Sequence, residues 1–147
     1  MSRSKRFDPV VKMAGENERT AGSRVGESRR TLVAQEARLK ELHTFRQDYR
    51  IRLKEMSESG LDAGKLRDYH RFLARLDDAV KQQEMLVTSC NHDVSNKVAE
   101  WSDKRTRVKA LDKVVDRYQK EERTGEQRRE QREIDDRATS QFRNRRR

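Results

Sequence analysis

The sequence predicts an all-α protein: two long helices forming an antiparallel coiled-coil hairpin, with a C-terminal helical overhang. Three observations predict it. Only 31% of the 147 residues are apolar while 42% are charged, too little apolar surface to fill a globular core. The single proline is Pro9, so no later proline interrupts a helix. Apolar residues recur on a heptad frame along most of the chain. No apolar run exceeds three residues, as in Leu32–Ala34, Phe72–Ala74 and Met85–Val87. The reading therefore excludes a transmembrane helix and a secretory signal.

Residues 1–7 hold Arg3, Lys5 and Arg6 with no acid and read as a basic disordered start. Asp8-Pro9 is a helix start, with Asp at the N-cap and Pro at the first helical position. Helix 1 follows over 8–57. Its a positions are Val11, Glu18, Val25, Leu32, Leu39, Arg46 and Leu53; its d positions are Ala14, Ala21, Ser28, Gln35, Leu42, Tyr49 and Met56. Ten of these 14 are apolar. Gly15, Gly22 and Gly26 weaken the early part, each costing about 1 kcal/mol relative to alanine.

Residues 58–64, with Gly60 and Gly64, read as a turn. Helix 2 follows over 65–124, free of glycine and proline. Its a positions, Leu66, Leu73, Val80, Val87, Val94, Trp101, Val108 and Val115, are all apolar. Its d positions are Tyr69, Leu76, Gln83, Cys90, Lys97, Lys104, Leu111 and Tyr118. Thirteen of the 16 are apolar against a 31% background, which argues against both chance and disorder. Residues 125–147 read as a frayed helix or disordered basic tail that orders on a partner. One continuous dimerising helix is the alternative to the hairpin; the paired glycines favour the hairpin. Its register pairs Met56 with Leu66, Leu53 with Tyr69 and Tyr49 with Leu73, and leaves helix 2 unpartnered beyond about Val114.

The net charge is +10, but residues 1–7 and 143–147 carry seven of those charges without an acid. The body is a mixed-charge solvated surface with basic ends. Cys90 is alone, so neither an internal disulfide nor a cysteine-based metal site can form, and a reducing cytoplasmic setting is expected. His43, His70 and His92 do not build a metal face. Gly60-Leu-Asp-Ala-Gly64-Lys65-Leu66 has too short a spacing for a phosphate loop and has Leu where Ser or Thr must reach the magnesium. A two-helix hairpin also offers no water-excluded concave site. The reading is therefore a non-enzyme without cofactor, metal or small-molecule substrate. A basic coiled-coil tether for nucleic acid is the alternative class, resting on charge alone.

The most informative feature lies beside the seam. Position g holds Phe72, Ala79 and Leu86 in helix 2, and Phe45 in helix 1 between Leu42 and Tyr49. The hairpin brings these segments side by side near the turn, forming an apolar strip of Leu42, Phe45, Tyr49, Phe72, Leu76 and Ala79. It is either a widened seam or a protein-binding face.

Three stretches resemble the FliJ family of bacterial flagellar export proteins. They are Leu39-Lys-Glu-Leu-His-Thr-Phe-Arg-Gln-Asp-Tyr49; Tyr69-His-Arg-Phe72 with Leu76, Ala79-Val80, Gln82-Gln83, Trp101, Lys104 and Leu111; and Arg129-Glu-Gln-Arg-Glu-Ile-Asp-Asp136. The family's endings usually carry Lys and Glu where this chain has Arg132 and Asp136. The resemblance implies a non-enzymatic, stalk-like coiled coil of the type III export apparatus, serving flagellum biogenesis and through it motility and chemotaxis. Three partners are implied: the ring of the export ATPase (a FliI-type hexamer), the cytoplasmic domain of the export gate (FlhA-type), and export chaperones. The implied gate contact is Leu42, Phe45, Tyr49, Phe72, Leu76, Ala79 and Gln83. The implied ATPase contact is Arg19, Arg24, Glu130, Gln131, Arg132, Asp135 and Asp136. The expected location is the cytoplasm, peripherally associated with the inner membrane at the flagellar base without direct membrane insertion. The equivalent stalk protein of a virulence injectisome is a further alternative.

Overall fold

A computed structural model describes residues 2–60 and 62–146. They form a four-residue turn of helix, α1 (Arg3–Arg6), and two long helices, α2 (Asp8–Glu58) and α3 (Ala63–Arg145). No strand occurs among the described residues. The two long helices pack against each other, and the chain divides into two compact units: Thr20–Trp101, and Met1–Arg19 with Ser102–Arg147.

The heptad frame accounts for the burial. Every a and d position of α2 from Val11 to Met56 is buried or half-buried, and in α3 only Lys104 of the 16 is exposed. Within Thr20–Trp101 the core is Ala21, Val25, Leu53, Leu76 and Val80, with Val80 only 1% exposed. The cross-helix contacts run in opposite directions along the two helices. Gly22 faces Trp101, the Gln35 backbone carbonyl faces Gln83, Phe45 faces Phe72 and Tyr49 faces Tyr69. That order makes the pair antiparallel, so this unit is a hairpin coiled coil.

Two layers of the seam are not simple apolar packing. The buried Gln83 donates from Nε2 to the Gln35 backbone carbonyl at 3.0 Å and to Gln35 Oε1 at 2.8 Å. Both are d positions, and a satisfied polar layer of this kind favours one register. Lower in the seam, a Cβ on Gly22 would lie 3.2 Å from Trp101 Nε1 and 3.5 Å from Cδ1. Gly22 is therefore where the indole seats against the α2 backbone, whereas Gly15 and Gly26 face only long arginine side chains of their own helix.

The turn is shorter than the expected 58–64. Helix α2 runs to Glu58 and α3 starts at Ala63, so Gly64 is helical. Gly60 has φ +90°, the left-handed conformation that ends helices and favours glycine. Ser57 Oγ donates to the Leu53 carbonyl at 2.9 Å and Ser59 Oγ to the Met56 carbonyl at 3.0 Å, covering carbonyls of the last turns. On the far side, the Leu66 amide donates to the Asp62 carbonyl at 3.0 Å.

The other unit departs from the expected domain boundaries at both ends. Residues 3–6 are helical, and Ser4 is buried at 7% exposure. Helix α1 stops where Pro9 lies ahead, because proline has no N–H for the carbonyl of Lys5 and its ring crowds that carbonyl. Phe7 caps α1 through its amide and accepts from the Val11 amide at 2.8 Å, opening α2. Docked α1 extends the paired region: Val115, Tyr118, Glu122 and Gly125 are half-buried, well past Val114. Residues 126–146 are exposed and continue α3 to Arg145.

Candidate partner-binding surfaces

In an antiparallel pair, e positions face e positions on one flank of the seam and g positions face g positions on the other. The hairpin unit uses its two flanks differently. On the e flank, Arg50 Nη2 lies 3.3 Å from Asp77 Oδ1 and His43 Nε2 lies 3.7 Å from Glu84 Oε1. Arg46, from its a position, reaches out to the same Asp77 oxygen at 3.4 Å and lies 3.1 Å from His43 Nδ1. This flank closes on itself with charge.

The g flank carries an aromatic cluster. The Phe45 and Phe72 rings meet edge-to-face, centroids 6.4 Å apart at 86°. Tyr49 bridges them at 6.5 Å from Phe45 and 4.6 Å from Phe72, and its other neighbour is Tyr69 at 5.6 Å. Burial, and secondarily the Tyr69 hydroxyl, pushes the Tyr49 hydroxyl above its ordinary pKa. Phe45 remains 50% exposed, Phe72 38% and Leu86 44%. The self-contact of these rings leaves half of the Phe45 surface in water. Beside it an open groove of about 460 Å³ runs along α2 past Ala37, Lys40, Thr44 and Asp48.

The expected gate-contact residues therefore separate by depth. Phe45 and Phe72 are exposed, and Leu42, Tyr49 and Ala79 are half-buried. Leu76 and Gln83 are buried in the seam, where they support the strip from beneath. Tyr69, which the seven do not include, belongs to the cluster through Tyr49. Its d position against Tyr49 was the available signal, since aromatic neighbours across a seam associate beyond their burial.

The expected ATPase-contact residues are all exposed: Arg19, Arg24, Glu130, Gln131, Arg132, Asp135 and Asp136. Gln131 Nε2 donates to Asp135 Oδ1 at 3.1 Å, a helical i,i+4 bond. What the charge pattern does not show is how the start of the chain supports this end of α3. The Ser4 amide and hydroxyl both donate to Glu122, to Oε1 at 3.1 Å and Oε2 at 2.8 Å. Those bonds hold the Glu122 carboxyl below its ordinary range, with Lys5 adding to the effect. Phe7 packs on Tyr118 at 5.6 Å, and Arg3 sits 5.7 Å from the centroid of the same ring. Among the described residues, no group of three or more His, Cys, Asp or Glu side chains is placed to hold a metal ion. Among the described residues no helix is long and apolar enough to cross a membrane.

A sequence model of the family described as "Flagellar FliJ protein" matches residues 3–147. The chain belongs to the FliJ family. A relative from Salmonella typhi, the "Flagellar FliJ protein", is 26% identical over 112 residues, covering 76% of each chain. No solved structure matches.

Proposed function

We propose that this FliJ-family chain works by binding rather than catalysis, as a stalk-like helical component of flagellar type III protein export. Its partners are the export ATPase ring, the cytoplasmic domain of the export gate and export chaperones, and it acts at the cytoplasmic face of the inner membrane. The observation that carries this reading is the half-exposed Phe45–Phe72 pair on one flank of the hairpin. Exposed aromatics backed by a packed seam have the character of binding hot spots. Phe45, Phe72, Tyr49, Leu42 and Ala79 would contact the gate domain, with Leu76 and Gln83 fixing the two helices below. Arg19, Arg24 and the segment Glu130–Asp136 would contact the ATPase, whose assembly and activity they promote.

Two measurements test this. ATP hydrolysis by the matching export ATPase is compared with the full chain and with a chain ending at Glu126, which keeps the Ser4–Glu122 bonds. Stimulation by the full chain alone places that activity in the exposed end of α3; equal stimulation by both removes Glu130–Asp136 from the reading. Affinity for the gate domain should fall at least tenfold in Phe45→Ala/Phe72→Ala, and persist at high salt in the unmodified chain, as apolar docking does and phosphate binding does not. Unchanged gate affinity in the double variant sinks the gate-contact assignment.

A further inference from the structure

The last three turns of α3 carry a pattern that overlaps the proposed ATPase segment only at Ile134 and extends beyond it to Arg146. Ile134, Ala138 and Phe142 recur at i, i+4 and i+8, which aligns them as one stripe along the helix. Ile134 is 58% exposed and Phe142 60%. No acidic residue follows Asp136, whereas Arg137, Arg143, Arg145 and Arg146 do. Arg145 falls on the same side as Ile134, and the Arg146 guanidinium lies 4.9 Å from the centroid of the Phe142 ring. Two acids flank the start of the stripe: Glu130, one turn before Ile134, and Asp135, which accepts a bond from Gln131. The body of α3 mixes its charges; from Arg137 onward every charged residue is basic, and the exposed Phe142 lies among those arginines.

We propose that the end of α3 is an interfacial helix that lies on an anionic lipid surface. Phe142, Ala138 and Ile134 enter the boundary between headgroups and acyl chains, and Arg143, Arg145 and Arg146 pair with lipid phosphates. Two features favour lipid over nucleic acid as the source of those phosphates. A nucleic-acid backbone gains nothing from an exposed isoleucine at the stripe's start. A helix tracking a polyphosphate also needs its basic residues spread along its length, whereas here Arg143, Arg145 and Arg146 gather within a single turn at the end. A planar lipid surface uses both halves of the pattern: charge for attraction and apolar side chains for insertion. The inference does not depend on the ATPase or gate contacts, because its test contains neither protein.

The experiment is vesicle co-sedimentation of the full chain at about 0.1 M salt, where the Debye length is about 10 Å. Vesicles of equal parts phosphatidylglycerol and phosphatidylcholine should bind the chain at least about tenfold more strongly than phosphatidylcholine alone. Arg143→Gln/Arg145→Gln/Arg146→Gln should lower the partition by roughly fivefold per arginine, about a hundredfold together. Ile134→Ser/Phe142→Ser should lower it by roughly tenfold with charge unchanged. All five side chains are exposed, so helicity by circular dichroism should be unaltered in both variants. Equal binding to the two vesicle types overturns the proposal, as does full retention of binding in Ile134→Ser/Phe142→Ser. Binding of a random-sequence DNA duplex more tightly than the anionic vesicles, insensitive to the serine pair, also overturns it and assigns this end to nucleic acid.

Discussion

The two flanks of the hairpin seam start from the same geometry and end with opposite characters. One is laced by Arg50, Arg46, His43, Asp77 and Glu84; the other presents Phe45, Tyr49 and Phe72. Both flanks shield the same Val80-centred core, so neither is needed for a role the other lacks in folding. The charged flank satisfies its own groups across the seam and has little to offer a partner. The aromatic flank satisfies itself in part, and half of the Phe45 surface still faces water. The difference teaches that in a two-helix protein the binding face is found by asking which flank remains unsatisfied, not by looking for a cavity.

The largest effect should come from destroying what the flanks share. Val80→Asp places a charge at a position 1% exposed and should cost about 3 kcal/mol or more, seen as a large drop in the thermal midpoint. Loss of both gate binding and His43–Glu84 proximity should follow together. Next is the aromatic flank. Phe45→Ala/Phe72→Ala should remove three ring contacts, about 2 kcal/mol in all, while gate affinity falls at least tenfold. A stability loss as large as that of Val80→Asp would show the strip to be a widened seam. The charged flank should respond more weakly. Asp77→Asn removes two partly exposed ion pairs and should cost about 0.5–1 kcal/mol, less at high salt, with gate affinity unchanged. If gate affinity falls with Asp77→Asn as far as with the phenylalanines, the distinction between the flanks collapses.

The smallest effect concerns the start of the chain. The folded Glu122 carboxyl lies below its ordinary value of 4.5, so the stabilisation from its Ser4 bonds is present above that value. It is lost as pH falls through the lower, folded value. Acidification to below the folded carboxyl's lowered pKa should therefore loosen α1 from α3, read as falling amide exchange protection at Ser4. Glu122→Gln should show the released state at neutral pH. Protection that survives in Glu122→Gln at pH 6 would shift the credit for docking to the Phe7–Tyr118 contact.

Much of this was legible in the residues. Heptad spacing placed the seam to the residue, because a and d positions are defined by the 3.6-residue turn and need no knowledge of the partner. The apolar g positions flagged Phe45 and Phe72 for the same reason. The depth of each strip residue was less accessible: Leu76 and Gln83 share a helix face with Phe72, but they lie beneath it once α2 covers the d positions. The segment 1–7 was the furthest from legible. Its three cations suggest solvation, and a four-residue helix has no periodicity to detect; only the carboxylate of Glu122, more than a hundred residues away in sequence, makes Ser4 a buried residue.

The sequence by itself determined two long heptad-patterned helices, a break between them and the seam positions, since local periodicity, a glycine-rich stretch and a shortage of apolar residues fix these without knowledge of the partner. The tertiary structure alone decided which weak positions matter. Gly15, Gly22 and Gly26 are equivalent as helix-weakening residues, yet only Gly22 has the Trp101 indole against it. The choice between a charged and an aromatic flank likewise followed from which e and g residues the antiparallel register sets opposite one another. Contacts such as Ser4 with Glu122 and Gly22 with Trp101 join residues far apart in sequence, and heptad periodicity names the seam positions but not these particular partners.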